Sequence, residues 1–270
     1  MPTRVTPYPD VNAIVRLLLS SVQSTLGDHF VGLYLHGSLA WGDFDPERSD
    51  IDFVVATADD LPGELLPALE RMHADIRASG RQWAAKLEGP YIPRHALRRY
   101  DAAHARHPWL GMDGHFAVEQ LGSDWVIQRH ILREKGVVVA GPAPQLLVDP
   151  IGPDDLRRAV LGTLREWWSP PLPSPARFHS SEYQAYAVLT MCRALYTLHH
   201  GAVVSKSIAA RWAQEALGGP WAAVIARALA WRHDAQPDHL NETLDFVRYT
   251  LERALEHASD PGIGTLRLSC

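Results

Sequence analysis

Leu35-His36-Gly37-Ser38-Leu39-Ala40-Trp41-Gly42, followed by Ser49-Asp50-Ile51-Asp52-Phe53, is the stretch on which the reading of this chain turns. An apolar, β-prone run from Phe30 to His36 leads into Gly37-Ser38, so it reads as a buried strand entering a turn. A second strand is predicted at Ile51 to Ala56. Gly37 permits a tight turn, and its amide, with the amide and hydroxyl of Ser38, can hold phosphate oxygens at the start of a helix, where unpaired N–H groups and the dipole favour anions. Asp50 and Asp52 stand two apart in a strand and so point to one face, while Ile51 and Phe53 point into the core. Two carboxylates on one face suit magnesium, which takes a few carboxylate oxygens along with waters and substrate phosphates. A third strand, predicted at Gln82 to Ile92, would bring Glu88 as a third carboxylate. A Gly-Ser turn or an Asp-x-Asp alone is common, but the two at this spacing, each attached to an apolar strand, form a specific combination.

Outward from this stretch, Val11, Ile14, Val15, Leu18, Leu19 and Val22 recur at helical spacing and predict an amphipathic helix over 11–26. Leu65 to Ala78 repeats the pattern between Pro62-Gly63 and Gly80, and Val137 to Val139 reads as a short late strand. Helices and strands therefore alternate up to Asp149-Pro150. Beyond that point Asp154 to Trp168, Glu182 to His200, Ser207 to Leu217 and Leu240 to His257 all carry helical spacing, which predicts a helical bundle. Ser169-Pro170-Pro171-Leu172-Pro173-Ser174-Pro175 cannot continue a helix and reads as a loop. The expected architecture is α+β: a mixed-sheet domain over 1–150 and an all-α domain over 151–270.

The 270 residues suffice for two domains that each bury a core, and 46% hydrophobic with 21% charged residues is ordinary globular usage. Met1 to Asp10 lacks a basic-then-apolar signal pattern, and no apolar run approaches the roughly 20 residues of a membrane helix. The expectation is a soluble, cytoplasmic chain, taken as a monomer. Its net charge of −5, from 26 basic and 31 acidic residues without a basic stripe, argues against a nucleic-acid substrate and suits a small cationic one. The two cysteines, Cys192 and Cys270, have no paired spacing and read as free thiols, Cys192 in the core.

Gly37-Ser38-x11-Asp50-x-Asp52 resembles the signature of the DNA polymerase β-type nucleotidyltransferase superfamily. More narrowly, most of the chain resembles the streptomycin/spectinomycin adenylyltransferase family: Leu87-Glu88, Gly141-Pro142 to Asp149-Pro150, Trp167-Trp168-Ser169-Pro170-Pro171, Val188 to Arg193, and Ser205-Lys206 to Trp212-Ala213 all match. The resemblance implies a polymerase-β-like domain and transfer of AMP from ATP, with Mg2+, onto a hydroxyl of an aminoglycoside or aminocyclitol. It implies that Ser38 and Ser49 bind ATP phosphates and that Asp50 and Asp52 hold magnesium. Glu88 is then the catalytic base on the acceptor hydroxyl, and Arg193 and Lys206 of the helical domain contact the nucleotide. A carboxylate near a hydroxyl can take its proton, and cations offset triphosphate charge, so the chemistry of these side chains suits those roles.

Family members that act on streptomycin carry a tryptophan before the Ser-Pro-Pro loop and an acidic residue after it. Here Trp167 is kept but Leu172 follows, while Glu182 beside Tyr183 offers an acidic group near the next helix. Trp167, Glu182 and Tyr183 are thus the candidate acceptor contacts besides Glu88. Most of the nine tryptophans read as packing residues, with Trp41 in the signature loop the one to watch, and no histidine pair completes a transition-metal spacing. Two other classes compete: an antitoxin-like nucleotidyltransferase acting on a protein, RNA or metabolite, and a non-catalytic nucleotide sensor. A lost metal carboxylate would mark the sensor, yet Asp50, Asp52 and Glu88 are all present.

Overall fold

The structure is a computed structural model that describes residues 5–169, 175–232 and 239–259. The chain forms two compact units, Met1–Leu121 with Gln128–Pro150, and Gly122–Ile127 with Ile151–Cys270. Gly122–Ile127 groups with the second unit although it precedes Pro150 in the chain.

In the first unit the order is α1 (Pro9–Leu26), β1 (Phe30–Leu35), α2 (Gly37–Trp41), β2 (Ile51–Thr57), α3 (Leu66–Ala78), β3 (Leu87–Pro93), α4 (Arg94–Arg98), β4 (Arg106–Leu110) and β5 (Phe116–Gln120). Then come α5 (Asp124–Lys135), whose first residues belong to the second unit, β6 (Val137–Ala140) and α6 (Pro144–Leu147). The six strands form one sheet in the order β5-β4-β3-β2-β1-β6. Only β2 and β3 run parallel, with α3 as their crossover; the other neighbours are antiparallel.

Alternation along the strands sets which side chains meet the helices. Val11, Ile14, Leu18 and Val22 of α1 and Leu69 and Ile76 of α3 form one buried cluster with Leu33 and Leu35 of β1, Ile51, Phe53 and Val55 of β2, and Leu87 and Tyr91 of β3. Each such side chain contributes about 1.5–3 kcal/mol on burial, which fixes the register of the central strands. Asp52 and Glu88 alternate with this set and therefore leave the sheet on the opposite face.

The expected third strand begins later than the sequence suggested. Residues 82–86 turn instead, because Trp83 takes a left-handed backbone at φ 74° to pack its ring 5.1 Å from that of Phe44, and Ala84–Lys86 form a 3-10 turn. The pair β4 and β5 was not foreseen: β4 carries a proline and β5 is half exposed, so neither shows a strong apolar alternation. α5 was also missed, its charged residues masking its periodicity.

The second unit holds α7 (Pro153–Thr163), α8 (Ser181–His200), α9 (Lys206–Leu217), α10 (Gly219–Ala230) and α11 (Leu240–Ser259). α8 packs against the other four. It starts on the Ser180 hydroxyl, which accepts the Tyr183 N–H, and stops at Gly201, left-handed at φ 62°. The helix expected over Asp154 to Trp168 ends at Thr163 and continues as a wider π turn, Leu164–Trp168, which leaves Trp167 48% exposed and Trp168 4% exposed. α10 begins at Gly219-Pro220 and was not read as a helix. Of the proline-rich loop, residues 170–174, with Leu172, lie outside the described residues, as does Cys270. Cys192 is fully buried, and burial pushes its thiol far up. No helix among the described residues is long and apolar enough to cross a membrane.

Candidate active site

The first unit brings together Gly37, Ser38, Asp50, Asp52 and Glu88. Asp52 and Glu88 face each other across the parallel β2–β3 ladder, and Asp50 lies just before β2. Each carboxylate has an oxygen within 4.8 Å of the other two, and all three residues are half-buried. No other group of three potential metal ligands occurs among the described residues.

Gly37 closes the site from below. It sits at φ 57°, where only glycine is unstrained, and a Cβ there would collide with Asp52 Oδ2. The turn can therefore lie directly against the Asp52 carboxylate only because position 37 has no side chain. One residue on, the Ser38 hydroxyl is buried without a hydrogen-bond partner among the described residues, and so is the Trp41 indole N–H one helical turn later. A buried donor without a partner costs about 1–3 kcal/mol, and this hydroxyl directly follows the glycine whose backbone meets Asp52 Oδ2.

Ser49 is held by its own loop. Its Oγ accepts the Asp45 N–H at 3.0 Å and its N–H donates to the Asp45 carbonyl at 2.8 Å, while Arg48 pairs with the Asp45 carboxylate at 2.9 Å. This closed turn delivers Asp50 to the start of β2. His36, ahead of Gly37, donates its backbone N–H to Asp52 O at 3.1 Å. Burial pushes its imidazole down to about 4, against the Gln128 hydrogen bond, the charge of Asp50 and the Phe53 backbone, so the ring is neutral.

The other candidates stand in the helical unit. Arg193 is half-buried on α8, and Lys206 is the first residue of α9, capped by the Ser205 hydroxyl, which accepts the Ile208 N–H at 3.3 Å. Glu182 is exposed in the first turn of α8. Tyr183 is half-buried, its ring 5.0 Å from Phe178 and under the Arg177 guanidinium at 5.9 Å. Trp167 presents its exposed ring beside Glu166, whose carboxylate accepts the Ser123 N–H at 2.8 Å and its hydroxyl at 2.6 Å.

Two charged or aromatic neighbours of Arg193 escaped the sequence reading. Asp124, the first residue of α5, is pushed up to about 6, mainly by burial and then by the charge of Glu166, against its own backbone hydrogen bond and the charge of Arg193. Tyr186 also feels the Arg193 charge. Tyr186 had a signal, since it lies three residues after Tyr183 and seven before Arg193, on one face of a helix. Asp124 had none, because α5 itself was not recognised.

Residues 146–257 match the family described as aminoglycoside adenylyltransferase, C-terminal domain, and residues 16–90 match the nucleotidyltransferase domain. The chain is 31% identical to an aminoglycoside (3'')(9) adenylyltransferase of Escherichia coli over 88% of this chain and 94% of that protein. It is 23% identical to a spectinomycin 9-adenylyltransferase of Enterococcus faecalis over 75% of this chain and 78% of that one. Its fold matches the crystal structure of a spectinomycin adenyltransferase of Enterococcus faecalis with ATP and spectinomycin, at a TM-score of 0.70 and 18% identity, covering 89% of this chain and 98% of that one. With a nucleotidyltransferase domain matched over residues 16–90 and a relative of 31% identity aligned over nearly its whole length, the chain is an enzyme that belongs to the aminoglycoside (3'')(9) adenylyltransferase family.

Proposed function

We propose that this enzyme transfers AMP from ATP to a hydroxyl of an aminoglycoside or aminocyclitol antibiotic of the streptomycin or spectinomycin type, with magnesium. The observation that carries the reading is the convergence of Asp50, Asp52 and Glu88 beside the orphaned Ser38 hydroxyl and the side-chain-free Gly37. The donor set fits magnesium: hard carboxylate oxygens, few in number, with room for substrate phosphates. Asp50 and Asp52 would hold it, with Glu88 beside them, and when bound it supplies charge that offsets the triphosphate and polarises the α-phosphoryl group.

Glu88 takes the proton of the acceptor hydroxyl as its oxygen bonds to the α-phosphorus; the bond from that phosphorus to the bridging oxygen breaks and pyrophosphate leaves. Ser38 and Ser49 donate to phosphate oxygens, and Arg193 and Lys206 meet the negative charge of the nucleotide. Trp167, Glu182 and Tyr183 contact the acceptor. The catalytic part runs to Pro150, with the helical part after it, in a cytoplasmic monomer that acts on small molecules.

Purified protein is to be incubated with ATP and magnesium against a panel of streptomycin, spectinomycin and other aminocyclitols, following pyrophosphate release and product mass, with Glu88→Gln alongside. One added AMP on a drug, absent with Glu88→Gln, names the acceptor. No adduct across the panel, with ATP binding intact, assigns the enzyme to a protein, RNA or metabolite acceptor instead.

A further inference from the structure

α8 turns Ala187, Val188, Met191 and Cys192 into the bundle, so its open stripe carries Tyr183, Tyr186 and Arg193. Tyr186 is unusual on that stripe. Its side chain is 43% exposed, yet neighbours desolvate its hydroxyl and raise it above the usual tyrosine range. The ring is held flat by two others, Tyr183 at 5.6 Å and 28° and Trp168 at 6.2 Å and 27°. Over its face stands the Lys206 ammonium, 4.2 Å from the centroid, well inside the range of a cation–π contact and closer than the other such contacts of the described residues, which lie at 5.6–5.9 Å.

Lysine is a compact charge on four rotatable carbons, and an ammonium left to sample its rotamers loses that freedom when it meets a phosphate. Here both ends of the side chain are constrained. The backbone is set by the buried Ser205 cap, and the ammonium by a ring that Trp168 and Tyr183 keep from turning.

We propose that Tyr186 is a positioning residue for Lys206: its ring face holds the ammonium in place before the nucleotide arrives, so that ATP binding bears less of the ordering cost. This rests on the reading that Lys206 contacts ATP. The property of Tyr186 that matters in this role is its π face, not its hydroxyl.

The test is ATP affinity by calorimetry with magnesium on the full chain. Tyr186→Phe keeps the ring face and stays within about twofold of wild type; Tyr186→Leu keeps apolar bulk without a π face and weakens ATP by about threefold to fivefold. In a Lys206→Met background, Tyr186→Leu has no further effect. Tyr186→Gln serves for the same cycle if the leucine variant melts early. If Lys206→Met leaves ATP affinity unchanged, the nucleotide contact of Lys206 is wrong and the positioning role falls with it. If Lys206→Met weakens ATP but Tyr186→Leu does not, or weakens it equally in the Lys206→Met background, the contact stands and the positioning role is overturned.

Discussion

Asp52 and Glu88 are each the second residue of their strand, and the parallel ladder sets them side by side. Their roles separate on substitution. Glu88→Gln is expected to lower kcat by about 10²–10⁴ while leaving magnesium-dependent ATP binding near wild type, as loss of a base does. Asp52→Asn is expected to weaken that binding itself. Calorimetry beside steady-state rates distinguishes them, and equal losses of ATP affinity in both variants would remove the case for Glu88 as the base.

Gly37→Ala places a methyl group where Asp52 Oδ2 stands, in a backbone region that disfavours any side chain. Activity should drop at least about 100-fold, a barrier of about 3 kcal/mol, with a fall of about 1–2 kcal/mol in stability. Thermal melting and pyrophosphate release are read on one preparation. Full activity in the alanine variant would show that the close approach of the turn to Asp52 is not needed.

Asp124 gives a pH signature. Its folded-state pKa, about 6, lies above the ordinary carboxyl value of 3.8, so the native state holds the proton longer than the unfolded one. The stability it contributes is present below about pH 4 and is lost as pH rises to about 6, after which it changes no further. Asp124→Asn, a neutral isostere, should therefore melt higher than wild type at pH 7.5 and close to it at pH 4. A difference between the two melting curves that does not vary with pH would contradict the assignment.

Ser205 caps the helix that begins with Lys206. Ser205→Ala should cost about 1 kcal/mol of stability and raise the KM for ATP, since fraying of the first turn moves Lys206. Chemical denaturation with a KM measurement checks both. A destabilised variant with unchanged KM would detach the cap from nucleotide binding.

The grouping of the candidate residues of the first unit was legible because its signals are local. Glycine at a left-handed position, a serine after it, and aspartates at alternate positions of an apolar strand each state their geometry within a few residues, and the resemblance carried by 37–52 named the chemistry. What escaped depends on distant packing. Trp83 gives up strand geometry to reach Phe44, β4 and β5 draw stability from pairing and not from composition, and Tyr186 acquires meaning only when α9 brings Lys206 over its ring.

The parallel pairing of β2 with β3 has a consequence for mutational tolerance. Length changes in the exposed turn between Thr57 and the start of α3 alter the path from one strand to the next but leave the rung that joins Asp52 to Glu88, so variation there is compatible with activity. A one-residue deletion that drew Glu88 into the place of Leu87 would keep all three carboxylates in the sequence and turn one of them into the core. Inactive relatives of this enzyme can thus carry every motif residue, and an insertion or deletion near Leu87 is where to look for them.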